Sequence, residues 1–469
     1  MNQADPSYTP VEGIKGLARL LQENVVPLED AILADLGKQR QECTLCETGP
    51  LIESCLYAAE HLEEWTKPEK PQVEAWRSSW ETTVFPVPKG VSLIISPWNY
   101  PYILTFNPLV GAIAAGCPVV MKPAELTPTC SALMASLVAK YLDSAAYTVV
   151  LGAVHETEAL LAHRWAHIFF TGSTRVGRII AAKAGEHLTP VTLELGGKSP
   201  VVIDEDCDLA LAAKRVLFGK VQNSGQLCVS PDYVLVPRSV ASQFKDALKK
   251  EYQERFPSGA LHPDIKWSNI INPAHFRRLK NLLDRSKGKI LIGGEVDGEK
   301  RMAPTIVTDV KLDDALMEEE IFGPILPVVD VEDVEEAMEI INNGATPLAL
   351  YVFSNRQGAR EEFVDRTNSG SLVFNDTFIQ ISSQYYSYSF VAVFDQLHRL
   401  VHEVPFGGHG ESGYGNYYSK DTFNAFTHRR SSINVPPSFE PNFGFRYLPY
   451  TDESYKVMTA SARAKIPEA

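Results

Sequence analysis

The sequence predicts an α/β protein of two lobes, each built on a mainly parallel sheet. Short apolar runs of strand length alternate with segments of helical periodicity, the pattern of strands joined by crossover helices. That alternation starts afresh near residue 200. The chain's 469 residues also exceed what one hydrophobic core ordinarily organises.

From about residue 11 to residue 65, apolar positions recur at three and four residues, so this stretch is expected to be amphipathic helix. Residues 80–87 look extended, and 91–95 form a short buried strand. A proline-rich loop follows, then helix over 109–115 and strand over 118–122. Helix is expected over 131–141 and 156–161, and strand over 147–151 and 167–170. The second series has strands at 191–195 and 200–203, a helix from Asp208, a strand at 233–237 and a helix from Ala241. Further strands fall at 289–292, 325–329, 348–353 and 370–374. There is no internal repeat and no low-complexity tract.

Lys and Arg number 44 against 58 Asp and Glu, a formal net charge of −14. Nucleic acid is therefore not expected as a partner, because phosphate binding needs a basic footprint. The seven cysteines are odd in number and scattered, which fits a reducing compartment. Cys43 and Cys46 form a CxxC in a helix-like polar segment, without a second pair or His cluster at zinc spacing, so it reads as incidental. No charged residue lies between Lys89 and Lys122. Pro97, Pro101, Pro108 and Pro118 interrupt that run, making buried strand, loop, helix and strand the expectation rather than a membrane span. Neither the N-terminal stretch nor the polar C-terminal stretch resembles a signal peptide or anchor, and a cytoplasmic location is expected.

Three segments carry chemistry. Phe170-Thr171-Gly172-Ser173-Thr174-Arg175-Val176-Gly177 follows an apolar strand and opens a helix whose free N–H groups could meet a phosphate. Taken alone it is equally a plain strand-to-helix turn, and no GxGxxG follows an early strand. In Thr192-Leu193-Glu194-Leu195-Gly196-Gly197-Lys198, the carboxylate could face a cavity as a general base, or simply pair with Lys198. In Asn223-Ser224-Gly225-Gln226-Leu227-Cys228, the thiol could be a small core residue, or a nucleophile on a glycine-bearing loop.

In this order, and together with Pro97-Trp98-Asn99-Tyr100-Pro101, Lys122-Pro123-Ala124-Glu125, Glu320-Ile321-Phe322-Gly323-Pro324 and Pro405-Phe406-Gly407-Gly408, these segments resemble the aldehyde dehydrogenase superfamily. The resemblance runs from the N-terminal helices to about residue 430 and is closest to the class 3 and fatty-aldehyde branch. It implies NAD(P)-dependent oxidation of an aldehyde, medium- or long-chain aliphatic or aromatic, to the acid through a cysteine thioester. Cys228 matches the nucleophile, Asn99 the oxyanion donor beside the Cys228 N–H, and Glu194 the base for deacylation. On the cofactor side Lys122 and Glu125 match ligands of the adenosine ribose, with Glu125 favouring NAD while NADP remains open. Gly172, Ser173 and Gly177 match the pyrophosphate turn, Glu320 the ligand of the nicotinamide ribose, and Phe322, Trp98, Leu195 and Gly196 that ring's surroundings. No metal is implied.

The resemblance further implies a variant Rossmann cofactor domain over 1–79 and 97–200 and a catalytic domain over 201–410. A small oligomerisation arm over 80–96 and 411–440, suited to a homodimer, and a tail over 441–469 complete it. The main departure is the segment 378–404, where similar sequences have a short strand and turn. Its aromatic, nearly uncharged centre, 381–399, reads as a loop shaping an apolar funnel, an inert surface excursion or a translated intron. Leu227 replaces a usual Thr or Arg, and Gln380 lies near a position that often holds His. A catalytically impaired relative serving as a scaffold is the alternative; a CoA-acylating relative would lack Glu194.

Overall fold

The computed structural model describes residues 9–381, 404–460, 462 and 465–467. Almost all of the 381–399 segment therefore lies outside the described residues. Two compact units make up the chain, one of Met1–Leu62 with Pro88–Thr427, the other of Glu63–Val87 with His428–Ala469.

The larger unit begins with helices Pro10–Glu23 and Val25–Leu36. The first starts where Thr9 accepts the Glu12 N–H and Pro10 presets the first turn. The second stops at Gly37, whose φ of +66° suits a left-handed C-terminal residue. Its uncharged stretch resolves into strand Ser92–Ile95, helix Ile103–Ala115 and strand Val119–Lys122, as its prolines require. Among the described residues no helix is long and apolar enough to cross a membrane.

Two sheets carry this unit. The first runs in the order Gly413–Tyr414, Val191–Leu195, His167–Gly172, Ser92–Ile95, Val119–Lys122, Tyr147–Val149, parallel except for its first strand. The second runs Ser371–Phe374, Ala349–Phe353, Pro200–Ile203, Tyr233–Pro237, Ile325–Val331, Thr305–Thr308, Lys289–Ile292, parallel except for its last. Strands covered on both faces read as continuous apolar runs, which is why they were legible in the sequence. Val202, Leu235, Leu350 and Val352 are fully buried in the second sheet's core, each side chain contributing about 1.5–3 kcal/mol. The chain passes from one sheet to the other between Leu195 and Pro200, leaving Glu194 at the carboxyl end of a strand. Ligands of open α/β sheets sit at such ends.

The smaller unit contains most of the two-stranded sheet of Thr83–Pro88 and Thr427–Ser432. Arg429 holds Glu69 through two bonds of 2.6 Å, and Trp80 meets the rings of Phe439 and Phe443 edge-on. Beyond residue 436 the chain forms the 3-10 helix Pro437–Arg446 and the helix Asp452–Met458.

Candidate active site

Four neighbouring strands of the first sheet deliver their carboxyl ends to one edge. Ile95 is in register with both Lys122 and Phe170, and Gly172 with Leu195. Strand pairing alone therefore gathers Trp98 and Asn99, Lys122, the Gly172-Ser173 turn and Glu194 onto one side.

Cys228 is supplied from the second sheet's side by a loop of unusual backbone. Helix Leu209–Val221 runs into Asn223, Ser224 and Gly225, whose φ angles are +46°, +55° and +70°. Left-handed non-glycine residues cost about 1–2 kcal/mol each, so the loop must be held by its surroundings. The Asn223 side-chain amide donates to the carbonyls of Asn99 (2.9 Å) and Gln226 (3.1 Å). Gln226 donates to Asn223 O and Asn269 O, and its own oxygen accepts the Ile271 N–H. A Cβ on Gly225 would lie 2.2 Å from the Gly323 carbonyl oxygen. Gly225→Ala is expected to cost about 2–4 kcal/mol, from left-handed strain plus overpacking. A lowered thermal midpoint together with slower alkylation of Cys228 would register it.

Asn99 is 3% exposed, and its Nδ2 donates to Gln226 O at 3.0 Å. One amide hydrogen is thereby fixed and the second remains for a ligand. Cys228 keeps partial exposure, yet burial, then the carboxylates of Glu320 and Glu194, push its thiol up to about 12. Glu194 is 3% exposed, neither carboxyl oxygen has a partner among the described residues, and burial raises its pKa well above the usual carboxylate range. The pairing of Glu194 with Lys198 that its sequence position allowed does not form. Lys198 Nζ instead meets Asp232 at 2.5 Å and the carbonyls of Leu316 and Glu319. Burial favours the neutral form of such an unpaired carboxyl, the kind of perturbation that marks candidate functional groups.

The residues expected on the dinucleotide side are placed as follows. Ser173 caps helix Thr174–Glu186, leaving first-turn N–H groups for an anion. Gly177 lies against Leu195, where a Cβ would approach to 2.6 Å. Glu320 lies over Gly196, whose Cβ would sit 2.1 Å from Oε2, while Oε1 has no partner among the described residues. Burial, then Asp232, raises Glu320 to about 8. The rings of Trp98 and Phe322 stand edge-on at 5.6 Å. Lys122 Nζ reaches Pro123 O and, at 3.4 Å, the half-exposed Glu125. A glycine cradle, a carboxylate with one free oxygen among the described residues and a helix N-terminus fit a dinucleotide.

Several residues of this centre gave no sequence signal: Lys38, Glu42 and Glu47 from the N-terminal helices, and Tyr351. Tyr351 donates to Val229 O at 2.6 Å and accepts from Gln380 Nε2 at 3.1 Å, bracing the backbone next to Cys228. Cys43 and Cys46 are helical as expected, but buried rather than on a polar face. No set of three potential metal ligands occurs among the described residues.

A model of the aldehyde dehydrogenase family matches residues 11–432. The chain is 40% identical over 463 residues to aldehyde dehydrogenase family 3 member H1 of Arabidopsis thaliana, covering 97% of this chain and 91% of that one. It is 40% identical over 424 residues to the dimeric NADP-preferring aldehyde dehydrogenase of Rattus norvegicus, with 90% and 89% covered. It is 41% identical over 446 residues to family 3 member A2 of Pongo abelii, with 94% and 86% covered. A solved structure, the substrate-bound state of Staphylococcus aureus AldH, superposes with a TM-score of 0.89 at 34% identity, covering 98% of this chain and 96% of that one.

Proposed function

We propose, from the premise that this chain belongs to the aldehyde dehydrogenase family, that it oxidises aldehydes through a thioester on Cys228. It is an NAD(P)-dependent oxidoreductase; the residue roles and the substrate's chemistry are the inferred part. One observation carries the reading. Cys228 lies two residues beyond Gln226, whose carbonyl accepts one hydrogen of the Asn99 amide, and its thiol feels the charge of the buried Glu194 carboxyl, which has no partner among the described residues.

The Cys228 sulfur, as thiolate, adds to the carbonyl carbon. The oxygen that gains the electron pair is met by the free hydrogen of Asn99 Nδ2 and the Cys228 N–H, an interaction that strengthens as charge develops. Bound NAD(P)+ supplies the hydride acceptor. With the hydride gone from carbon, the substrate is a thioester on Cys228. Glu194 then takes a proton from water as the water oxygen attacks, and the C–S bond breaks to release the acid and the thiolate. Burial favours its neutral form, so it acts as the base once it has lost that proton, and its carboxylate is then a stronger base than an exposed one.

Tyr100 and Tyr417 are buried and Tyr418 half-buried; burial first, with a smaller contribution from Cys228, raises their phenol pKa values. This lining supports an aldehyde with an apolar body, medium- or long-chain aliphatic or aromatic. NAD(P)H formation followed at 340 nm, a property of the reduced nicotinamide, is expected with hexanal, decanal and benzaldehyde. kcat/KM should rise by up to about fourfold for each methylene buried. Glu125 opposes a 2′-phosphate, so Glu125→Gln is expected to raise the NADP-to-NAD ratio of kcat/KM about three- to tenfold. No NAD(P)H with any aldehyde would reject the reading.

The same reading includes a homodimer. A two-stranded sheet is marginal alone, and the similar rat enzyme is named dimeric. Light scattering at micromolar concentration tests this. All seven cysteines are unpaired, which supports a reducing, cytoplasm-like compartment.

A further inference from the structure

Lys38 lies 61 residues from Asn99 in sequence and is fully buried at the bottom of the centre. Its ammonium has three directions in which to donate. One goes to Glu47 Oε1 at 2.9 Å, one to the backbone carbonyl of Asn99 at 2.9 Å, and the nitrogen also stands 3.6 Å from the centroid of the Tyr100 ring. Glu47, equally buried, uses its other oxygen to accept the N–H groups of Tyr102 (2.9 Å) and Ile103 (3.1 Å). Helix Ile103–Ala115 has no side-chain cap of its own, so Glu47 supplies one. The ion pair thus grips the turn on both sides, at the carbonyl of residue 99 and at the N–H groups of residues 102 and 103.

Glu47 reaches that turn from an irregular helix. Residues Thr44–Thr48 form a π-helical stretch after helix Arg40–Cys43, a register change that often marks functional sites. From the same segment Glu42 accepts the Asn223 N–H at 2.5 Å and the Ser268 hydroxyl at 3.2 Å, touching the strained loop that carries Cys228. Asn99 O is the shared acceptor, receiving Lys38 Nζ and Asn223 Nδ2 together. A full positive charge on that carbonyl fixes the peptide plane from which the Asn99 side chain projects.

We propose that Lys38 and Glu47 are positioning residues for the Asn99 amide, setting where its free hydrogen meets the developing oxyanion. The proposal rests on the thioester reading. A buried charged pair is costly to assemble and is not needed for stability as such, since apolar replacements of equal volume often fold as well. Here each partner spends its bonding capacity on the backbone of the turn that bears Asn99. Truncating the donor itself removes a direct contact, whereas disturbing its support should cost less.

The test uses the full-length enzyme and measures three quantities: the single-turnover NADH burst with hexanal, NAD affinity by nucleotide fluorescence, and Cys228 alkylation by iodoacetamide. The variants are Lys38→Met, Lys38→Arg and Glu47→Gln, each made alone and with Asn99→Ala. Lys38→Met and Glu47→Gln are expected to slow the burst by about ten- to a hundredfold. NAD affinity and alkylation should stay within about twofold, and Lys38→Arg should recover part of the loss. With Asn99 already alanine, the same substitutions should cost almost nothing further, because they act through that side chain. If Lys38→Met does not fold, the isosteric Glu47→Gln decides alone. A folded Glu47→Gln with an unchanged burst would overturn the proposal, as would losses that multiply in the Asn99→Ala background. A wild-type enzyme without a burst, or Cys228→Ala with one, would instead reject the thioester reading.

Discussion

Cys228→Ala is expected to lower aldehyde-dependent NAD(P)H formation by at least about 10³–10⁴-fold while leaving dinucleotide affinity nearly unchanged. The nucleophile has no stand-in at its position. Leu227 and Val229 flank it, and the other six cysteines lie on other elements, five of them buried. The side chain is small, so alanine leaves the loop's hydrogen bonds, which run through Asn223 and Gln226, in place. Lost activity with an unchanged thermal midpoint would separate chemistry from folding. Before the dinucleotide binds, burial first and then Glu320 and Glu194 hold the thiol's pKa at about 12. The reactive form is the charged thiolate, and a raised pKa delays its appearance to higher pH. Alkylation of the free enzyme by iodoacetamide should therefore climb about tenfold per pH unit between about pH 7 and 9, without a plateau. Cys228→Ala should abolish that labelling.

Glu194→Gln is expected to separate the two halves of the reaction. Glutamine keeps the size of the side chain but cannot take a proton from water, so deacylation slows by about 10²–10⁴-fold. Acylation needs Cys228 and Asn99 and should persist. Rapid mixing with aldehyde and NAD+ should then show a burst of about one NADH per active site, followed by near-arrest. Glu194 has no hydrogen-bond partner to lose among the described residues, so the neutral amide should not destabilise the fold and should relieve the cost of a buried ionisable group. Steady turnover at the wild-type rate would assign the base elsewhere.

Much of this architecture could be read from the sequence because parallel strands buried on both faces announce themselves as short apolar runs. The strands at Val191–Leu195, Pro200–Ile203 and Tyr233–Pro237 have the bounds their sequence predicts, as does the antiparallel, partly exposed edge strand Lys289–Ile292. The changeover between sheets falls near residue 200 for the same reason. Glu194 and Cys228 could not be decided from composition. A strand-end glutamate beside a lysine and a cysteine on a loop are ordinary features until the sheet order places them together. Only then does Lys198 turn out to serve Asp232, leaving Glu194 without a partner among the described residues. The Lys38–Glu47–Glu42 group was illegible because it depends on a π-helical register and on contacts 55 to 226 residues apart in sequence. Helix Thr174–Glu186 lacks the glycine-rich fingerprint, and its place at a strand's carboxyl end is what makes it a candidate for the cofactor. The segment 381–399 lies almost wholly outside the described residues, and a transcript spanning it separates a translated intron from the two readings in which it is protein.

The thioester is tested most directly by the mass of the protein itself. Glu194→Gln incubated with decanal and NAD+ and quenched in acid should gain the mass of one decanoyl group, located by peptide mapping on the fragment containing Cys228 and removable by hydroxylamine. The same treatment without NAD+, or with Cys228→Ala also present, should leave the mass unchanged. An acyl group on another residue, or sustained acid production with no adduct on Cys228, would contradict the account.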